Sequence, residues 1–575
     1  MKKTLLATLA LGLGLASAQS NKNVLTAVTI EPAWSSFDPA YCYDSACSNI
    51  LDNTLEGLIG FAGDGASTFA PRVASEIPSV ANGGITNGGK TYTFKIRPGI
   101  KFSDGSPLTA QDVEYSLERL LVYSTETGPA GLLLEPIFGS ADLIRKGGKV
   151  GYAEIDKAIE ARDNSTVVIN LQKAFSPFLA TMAAYGYIYS KADAIKNNDW
   201  AGTAATWEAF NNKAEGTTGY LKKAPLGTGP FAFERLNEGS AVILKRNDNY
   251  WRAPAKLERV IITGIKDDTT RIQTLRTGES DYALVGAIPA AQFNTVSQLP
   301  GVTGAKKPGL TLIGFFMTHK INGEGTNYLG SGKLDGKGIP STFFSDINVR
   351  KAFAYSFDYG SMVKDVLQGN GTQQNSVLVQ GLLGYNKTSP KFKFDKTLAT
   401  RYFKAASKGQ VWANGFTLPV FYNAGNSTRQ RGLEIMKRNI ESLNPKFKLE
   451  IRELPFAQIL SLSAANKLTV WFGGWGADFA DPHTFAQPFL APDGNYPLNI
   501  AYRNEALGKL IDQAVSEPTP ANRVKLYSQI AKIGFNEVPL VPVYQAVSLS
   551  VNRDNVVGRQ FNPISQDYFY PVSKN

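Results

Sequence analysis

The sequence has 575 residues, of which 43% are apolar and 19% are charged, and its formal net charge is +11. This length exceeds what one hydrophobic core usually supports, so we expect two or three domains, and the composition excludes a disordered chain. The lysines are scattered and no arginine-aromatic patch occurs, so we assign the positive excess to a solvated surface rather than to a nucleic-acid partner.

Residues 1–18 have the pattern of a secretory signal peptide. Two lysines precede an apolar run over residues 5–15, and the small residues 16–18 form a cleavage site before Gln19. The apolar run is too short to span a bilayer. A lipoprotein would carry a cysteine directly after the cleavage site, and because Gln19 stands there instead, no lipid anchor is expected. We therefore predict a protein that is exported to the periplasm and cleaved after Ala18.

The first predicted strand covers residues 24–30 and leads into a loop that contains Asp38-Pro39. A helix is predicted over about residues 48–58, because Ile50, Leu51, Leu55 and Leu58 share one face at helical spacing. Glycine-rich residues 83–89 are typical of a hairpin loop.

Cys42 and Cys47 are the only cysteines of the chain. In an exported protein, a pair this close favours a local disulfide. Along an ideal helix their α-carbons would be too far apart, so the bond requires Cys42 to precede the helix. A metal site is the alternative interpretation, but no histidine lies nearby.

Residues 90–113 form the most informative block of the sequence. Polar and apolar residues alternate over positions 91–96, which predicts a half-buried strand, and two turn pairs follow. Thr109 with Asp112 resembles a capping box at the start of an amphipathic helix.

As a string, residues 90–113 closely resemble the signature segment of the extracellular solute-binding proteins that serve peptide and nickel ABC importers. Asp38-Pro39, residues 53–58 and residues 225–231 resemble further motifs of this family. The resemblance extends over nearly the whole mature chain. It implies an α/β fold of the two-lobe periplasmic-binding-protein (Venus-flytrap) type, with an additional third domain.

By analogy with the family, we expect the chain to divide as follows. Lobe I combines residues 19–61, 222–305 and 544–575, the additional domain covers residues 62–221, and lobe II covers residues 306–543. Two long connections between the lobes would form the hinge. The ligand would bind between the lobes, which close around it.

The pattern changes after residue 416 to β-α-β-α-β, which predicts parallel strands. Pro419 lies in the first of these strands and cannot donate a ladder hydrogen bond, which weakens the strand prediction or places the strand at a sheet edge. Ligands bind at the carboxyl ends of strands in open α/β sheets. Here those ends are residues 423–426 and 473–478.

Signals of catalysis are scarce. The glycines at 227 and 229 do not form a phosphate loop, because Pro230 replaces the required lysine, and residues 330–333 also fail the pattern. His319 and His483 are the only histidines, so no zinc motif can be drawn. His483 is predicted to be a loop residue rather than a base. We therefore expect no enzyme activity, no metal and no cofactor.

Residues 473–482 resemble the family's Gly-Trp-x-x-Asp ligand loop. The resemblance implies that Asp478 captures a peptide's α-ammonium group and that Trp475 lines a side-chain pocket. A sequestered cation needs an ionised partner, and tryptophan offers a wall that tolerates different side chains. The alternative is that Asp478 caps a helix and Trp475 is core. Asp481 is a second candidate acid.

The remaining candidate ligand-binding residues are Gly474, Asn423, Asn426 and Tyr43. Dipeptide-specific members of the family carry an arginine three residues before the Tyr-Asn pair that is Tyr422-Asn423 here. That position is Pro419, and no arginine follows until Arg429, so the sequence favours longer peptides.

The predicted function is that of a receptor of an ABC importer, which captures peptides, and in particular oligopeptides, between two lobes. Its expected partners are the peptide and the membrane permease, whose transmembrane subunits work with cytoplasmic ATPases. We expect a monomer. Alternatives are the same fold with a nickel complex or an oligosaccharide as ligand, a secreted hydrolase, and a chemosensory adaptor.

Overall fold

The structure is a computed structural model, and it describes residues 21–30, 34, 36–125, 128–140, 150–565 and 567–575. The predicted signal peptide, residues 1–18, lies outside the described residues. Helices and strands are mixed along the chain, so the fold is α/β as predicted. None of the helices in the described ranges combines the length and the apolar character needed to cross a bilayer.

The strands of the N-terminal half are short, and they are β1 Val24–Thr29, β2 Ile59–Phe61, β3 Phe69–Pro71, β4 Ile85–Thr86, β5 Thr91–Lys95, β6 Ile159–Asp163, β7 Thr166–Asn170, β8 Phe231–Asn237, β9 Ala241–Arg246, β10 Arg259–Gly264 and β11 Tyr282–Ala283. Those of the C-terminal half include two long strands, and they are β12 Val302–Met317, β13 Gly371–Gln373, β14 Phe416–Asn423, β15 Phe447–Leu454, β16 Val470–Gly476, β17 Leu540–Arg553, β18 Val556–Val557 and β19 Ser573–Lys574.

The helices of the N-terminal half are α1 Ser45–Thr54, α2 Ala110–Tyr123, α3 Gly131–Phe138, α4 Tyr152–Ala158, α5 Phe178–Tyr185, α6 Lys191–Lys196, α7 Trp207–Phe210, α8 Asp268–Thr277 and α9 Ala290–Val296. Those of the C-terminal half are α10 Ile347–Ser356, α11 Tyr359–Ser361, α12 Lys396–Ala405, α13 Gln410–Asn414, α14 Ser427–Glu441, α15 Phe456–Ala464, α16 His483–Leu490, α17 Asn495–Asn499, α18 Glu505–Ser516 and α19 Pro520–Glu537.

One sheet connects the two lobes, in the strand order β15-β14-β16-β12-β17-β11-β1-β10-β9-β8, with β13 paired to β17. Lobe I contains β1 and β8 to β11, and lobe II contains β14 to β16. The long strands β12 and β17 pair with each other along both parts, and their register shifts between Pro308 and Thr311. These two strands are therefore the connection between the lobes, and the register shift lies within it.

An additional domain packs beside lobe I and contains the four-stranded sheet β4-β5-β7-β6 together with α2 to α7. Tyr92 and Phe94 of β5 are buried, as their alternation with polar residues predicts. The Asp112 carboxylate accepts a hydrogen bond of 2.9 Å from the backbone N–H of Thr109, so the capping box at the start of α2 is present.

The apolar residues form separate cores in the two lobes. One core joins lobe I to the additional domain, and two further cores lie on the two faces of the lobe II sheet. A fourth core packs α8 and α9 against β1, β11, β12 and β17.

Two local predictions differ from the structure. The helix predicted over residues 48–58 is α1, which begins at Ser45 because the side chain of Asp44 caps it, and which ends at Thr54. The strand that contains Pro419 is not at a sheet edge, because β14 lies between β15 and β16. Proline is tolerated there because pairing with β16 begins only at Val420, one residue later.

Candidate functional site

The candidate site is built around Asp478, two residues after the end of β16. Its side chain lies at the interface of the lobes and is only 5% exposed. The hydroxyl of Tyr185 donates a hydrogen bond of 2.7 Å to one carboxylate oxygen, and the hydroxyl of Tyr43 donates one of 3.3 Å to the other. Lobe I, the additional domain and lobe II therefore each contribute one residue to this cluster.

A disulfide holds the part of lobe I that supplies Tyr43. Cys42 and Cys47 are bonded, with their α-carbons 5.7 Å apart, and Cys42 precedes α1 as the bond requires. Asp44 accepts hydrogen bonds from the backbone N–H groups of Ala46 and Cys47 at 2.8 and 3.1 Å. Tyr43 thus sits in a short closed loop that is fixed by a covalent bond and by a helix cap.

The electrostatics of Asp478 are unusual for a buried acid. Burial raises the pKa of its carboxyl to about 7, although the hydroxyls of Tyr185 and Tyr43 lower it. Among the residues that the structure describes, no lysine, arginine or histidine forms an ion pair with it. The site is thus an acid in an aromatic surrounding without a cationic partner.

Trp475 forms a wall of the same site. Its ring meets the rings of Tyr43 and Tyr496 edge to face, with centroid distances of 5.4 and 5.5 Å. Its buried indole N–H lies close enough to Asp478 to lower the pKa of that carboxyl, but it forms no hydrogen bond. A buried polar group without a partner is costly, so this N–H is available to an acceptor on a ligand.

Arg429 is a second charged group near the site. Burial raises the pKa of Tyr496, Arg429 lowers it and Asp478 raises it further, while burial lowers the pKa of the Arg429 guanidinium. Arg429 donates a hydrogen bond of 2.7 Å to the side-chain oxygen of Asn423 and has no acidic partner among the described residues. Asp478 and Arg429 are therefore two charged groups without an ion-pair partner in the described part of the chain, and both act on Tyr496.

The structure places the other predicted residues as follows. Asn426 caps α14, because its side chain accepts a hydrogen bond of 3.0 Å from the backbone N–H of Arg429. Gly474 allows a close approach of strands, since a Cβ atom there would lie 2.9 Å from the carbonyl oxygen of Leu312. Its own carbonyl oxygen accepts a hydrogen bond of 3.1 Å from the hydroxyl of Tyr496. Both residues thus support the site structurally.

The second candidate acid and the histidine beside it have partners of their own. Asp481 forms an ion pair of 2.8 Å with Arg523 and is therefore neutralised within lobe II. His483 is not a loop residue as predicted, because it begins α16 and is buried. Its Nε2 lies 2.9 Å from both carboxylate oxygens of Glu135, which belongs to α3 of the additional domain. This contact joins lobe II to the opposite wall of the cleft.

Sequence reasoning did not select Tyr185, Tyr496 or Arg429. Tyr185 and Asp478 are separated by 293 positions, so no local pattern connects them. Arg429 lies three residues after the cap Asn426, and only its missing acidic partner marks it as a candidate. Among the described residues, no group of three histidine, cysteine or acidic side chains is arranged to hold a metal ion.

A family profile and two relatives of known name match most of the chain. The profile of the bacterial extracellular solute-binding proteins, family 5 Middle, matches residues 69–497. A probable D,D-dipeptide-binding periplasmic protein of Escherichia coli K12 is 26% identical over 483 residues, which is 84% of this chain and 81% of the relative. The oligopeptide-binding protein of Bacillus subtilis 168 is 25% identical over 549 residues, 93% of this chain and 90% of the relative.

A solved structure has the same fold. The ABC transporter-associated periplasmic binding protein of Helicobacter pylori, in complex with the peptide STSA, superposes with a TM-score of 0.76 at 22% sequence identity. The match covers 96% of this chain and 98% of that chain. The two-lobe arrangement of the periplasmic binding proteins therefore describes this chain along nearly its full length.

Proposed function

The chain belongs to the bacterial extracellular solute-binding proteins of family 5, and we propose that it captures peptides between its two lobes and delivers them to the permease of an ABC importer. This family consists of substrate-binding proteins rather than enzymes. Two of its relatives are named for binding dipeptides and oligopeptides. The proposal assigns a peptide ligand to the cleft that holds Asp478.

The observation that carries the proposal is the surrounding of Asp478. A buried carboxylate that is held only by hydroxyls lacks the cation that would balance its desolvation. The α-ammonium group of a peptide supplies that cation and donates up to three hydrogen bonds. On binding it would lower the pKa of Asp478, because an adjacent positive charge favours the ionised form. Asp478 is therefore the anchor for the ligand's amino terminus.

Arg429 is the complementary anchor in this proposal. Its guanidinium is bonded only to the neutral side chain of Asn423, and a guanidinium binds a carboxylate with two parallel hydrogen bonds. The sequence has Pro419 where dipeptide-specific members of the family carry an arginine for the ligand's carboxylate. Arg429 offers a positive charge from the start of α14 instead, and it is the proposed partner of that carboxylate.

The aromatic walls of the site accept different ligand side chains rather than select one. Tyr43, Trp475 and Tyr496 offer flat, rigid surfaces that different side chains can cover. The indole N–H of Trp475 is free to donate to a carbonyl oxygen of the ligand's main chain. Recognition of termini and main chain, with little shape selection, is the property expected of a receptor for mixed peptides.

The same proposal covers export, assembly with the permease and the division into domains. Residues 1–18 would direct export, with cleavage after Ala18, so that a monomer without cofactor acts in the periplasm. The closed form would dock on transmembrane permease subunits that are driven by cytoplasmic ATPases. The division into lobe I, the additional domain and lobe II follows the bounds 19–61, 62–221, 222–305, 306–543 and 544–575.

Native mass spectrometry of the protein, purified without denaturation, tests the proposal. We expect peptide masses to dissociate from the wild type and from Asp365→Asn, which removes an exposed carboxylate of lobe II as a matched control. Asp478→Asn should be purified without peptides. A single non-peptide mass would move the function to another solute, and equal peptide retention by Asp478→Asn would refute the role of this residue.

A further inference from the structure

A polar cavity is lined in part by the chain segment that supplies Tyr185, and it opens to solvent. Its walls come from the end of α1, from β2, from the end of α5 and from the tail before β19. The polar and aromatic residues that line it are Asp52, Glu56, Arg72, Tyr187, Ser565 and Tyr568.

Two of the three charges in this cavity neutralise each other. Glu56 accepts hydrogen bonds from the Tyr250 hydroxyl at 2.9 Å and from the Trp251 indole at 2.7 Å, and it lies 4.0 Å from the Arg72 guanidinium. Arg72 also donates to the carbonyl oxygen of Phe61 at 3.1 Å. Glu56 and Arg72 are therefore fixed parts of the wall, and they contribute no net charge.

Asp52 is the third charged residue of the cavity, and its negative charge is not neutralised by the other two. Its carboxylate accepts hydrogen bonds from the hydroxyls of Tyr187 at 2.7 Å and Ser565 at 2.9 Å, and it forms no ion pair with a described residue. Burial raises the pKa of this carboxyl to about 6, although the two hydroxyls and Arg72 lower it. Two hydroxyl donors leave part of the carboxylate's capacity of about four acceptor positions unused.

The cavity is adjacent to the ammonium site. Tyr185, which donates to Asp478, and Tyr187, which donates to Asp52, are two residues apart, and the pKa of Tyr185 is raised in part by Tyr187. Ile564, next to the lining residue Ser565, packs on the same apolar core of lobe II as Trp475. The cavity and the ammonium site therefore share the chain segment of residues 185–187.

We propose that this cavity is a subsite for a cationic side chain of the ligand, lysine or arginine, which forms an ion pair with Asp52. The inference rests on the proposed peptide-binding function and adds a side-chain preference to it. The cavity favours a cation because its three charged groups sum to one negative charge. It favours a long side chain because the carboxylate lies at the wall of the cavity and not in the main cleft.

Isothermal titration calorimetry with matched tripeptides tests this subsite. Lysine is placed at the first, second or third position of an alanine tripeptide, and each peptide is compared with its glutamine counterpart. For one position we expect the wild type to bind the lysine peptide about tenfold more tightly. Asp52→Asn should abolish this preference and leave the affinity for the glutamine peptides unchanged, whereas Asp365→Asn should retain it.

The possible outcomes separate the two proposals. If glutamine peptides bind but lysine gives no gain at any position, the subsite is refuted while the peptide function stands. The subsite is also refuted if the preference persists in Asp52→Asn. If none of the peptides binds, the proposed function fails and the subsite fails with it. Should Asp52→Asn not fold, Asp52→Glu keeps the charge, and it must retain the preference that the wild type shows.

Discussion

Asp38 and Asp478 are both buried aspartates, yet their surroundings are opposite. Asp38 is fully buried and receives two hydrogen bonds of 2.7 Å from the guanidinium of Arg119, which lies in α2 of the additional domain. Asp478 receives hydrogen bonds from the hydroxyls of Tyr185, Tyr43 and Thr484, and no cationic group among the described residues pairs with it. The first acid is ion-paired with Arg119, which also pairs with the buried Asp199 at 2.8 Å, and the second has no cationic partner among the described residues.

This difference in ion pairing distinguishes an aspartate with a structural role from one with a proposed binding role. Breaking a completed buried ion pair leaves an uncompensated charge, so such a pair ties two domains together. A buried acid without a cation lowers stability while it is empty, but it gains a partner when a cationic ligand binds. Both aspartates lie in motifs that resemble the family. Only their surroundings distinguish the acid that is paired within the fold from the acid that we propose as the ligand's partner.

The largest expected effect comes from breaking the completed pair. Arg119→Met leaves Asp38 buried without its cation, which should reduce the free energy of unfolding by about 3–5 kcal/mol. Urea denaturation followed by circular dichroism measures the change. Asp478→Asn, measured at pH 8 in the absence of peptide, is the matched control and should be as stable as the wild type or more stable. Equal destabilisation by both substitutions would remove the distinction between the two acids.

A pH series sharpens the comparison. The pKa of Asp478 in the unliganded protein is raised to about 7, so below this pH the carboxyl must lose a proton to pair with an ammonium group. Peptide amino termini stay protonated over the same range. The affinity should therefore fall as the pH decreases below about 7, by up to about tenfold per unit. Calorimetry should also detect proton release on binding near pH 6.

The raised pKa of Asp478 also makes the folding stability depend on pH. This stability decreases as the pH rises, whereas the peptide affinity increases. Because the folded pKa is above the unfolded value, the wild type is stabilised relative to Asp478→Asn at low pH, and this advantage is lost as the pH rises through about 7. Urea denaturation of both proteins between pH 5 and 8 would reveal it. A peptide affinity that is constant between pH 5 and 8 would contradict the assignment of Asp478 as the partner of the ligand's ammonium group.

The disulfide provides a third test. Replacing both Cys42 and Cys47 by serine opens the loop that carries Tyr43, and the chain-entropy model predicts a loss of about 2 kcal/mol in stability. Peptide affinity should fall as well, because Tyr43 is no longer fixed against Asp478. Thermal denaturation and calorimetry of the double variant measure the two effects. Unchanged affinity despite lower stability would mean that the disulfide does not position Tyr43.

The smallest effects on peptide binding are expected when the hydroxyl groups of Tyr185 and Tyr43 are removed one at a time. Tyr185→Phe removes the 2.7 Å hydrogen bond to Asp478 and should cost about 1.5 kcal/mol of peptide binding, whereas Tyr43→Phe removes the 3.3 Å bond and should cost about 0.5 kcal/mol. Both changes should move the midpoint of the pH profile upward. The reverse order of the two variants would argue against the present geometry of the site.

Much of the fold can be predicted from local sequence. The capping box of α2, the alternation in β5 and the parallel arrangement of β14 to β16 follow from spacing and residue type. Trp475 and Asp478 can be found because they lie in one short motif. The interior position of Pro419 could not be predicted, because it depends on where pairing with a strand 50 residues later begins.

The parts of the site that sequence could not supply come from distant segments. Tyr185 reaches Asp478 from the additional domain, and Glu135 reaches His483 across 348 positions. Asp481 has the same local signal as Asp478 and differs only in its partner Arg523. Whether an acid is paired depends on the tertiary fold, and this property distinguishes the site from its surroundings.

The most direct test of the central claim is a pair of titrations at pH 7.5. The peptide that co-purifies with the wild type is compared with its N-acetylated form, which keeps every side chain and removes only the charge that Asp478 is proposed to bind. The account predicts that acetylation weakens binding by about a hundredfold. Equal affinity of the two forms would mean that Asp478 does not bind the amino terminus of the ligand.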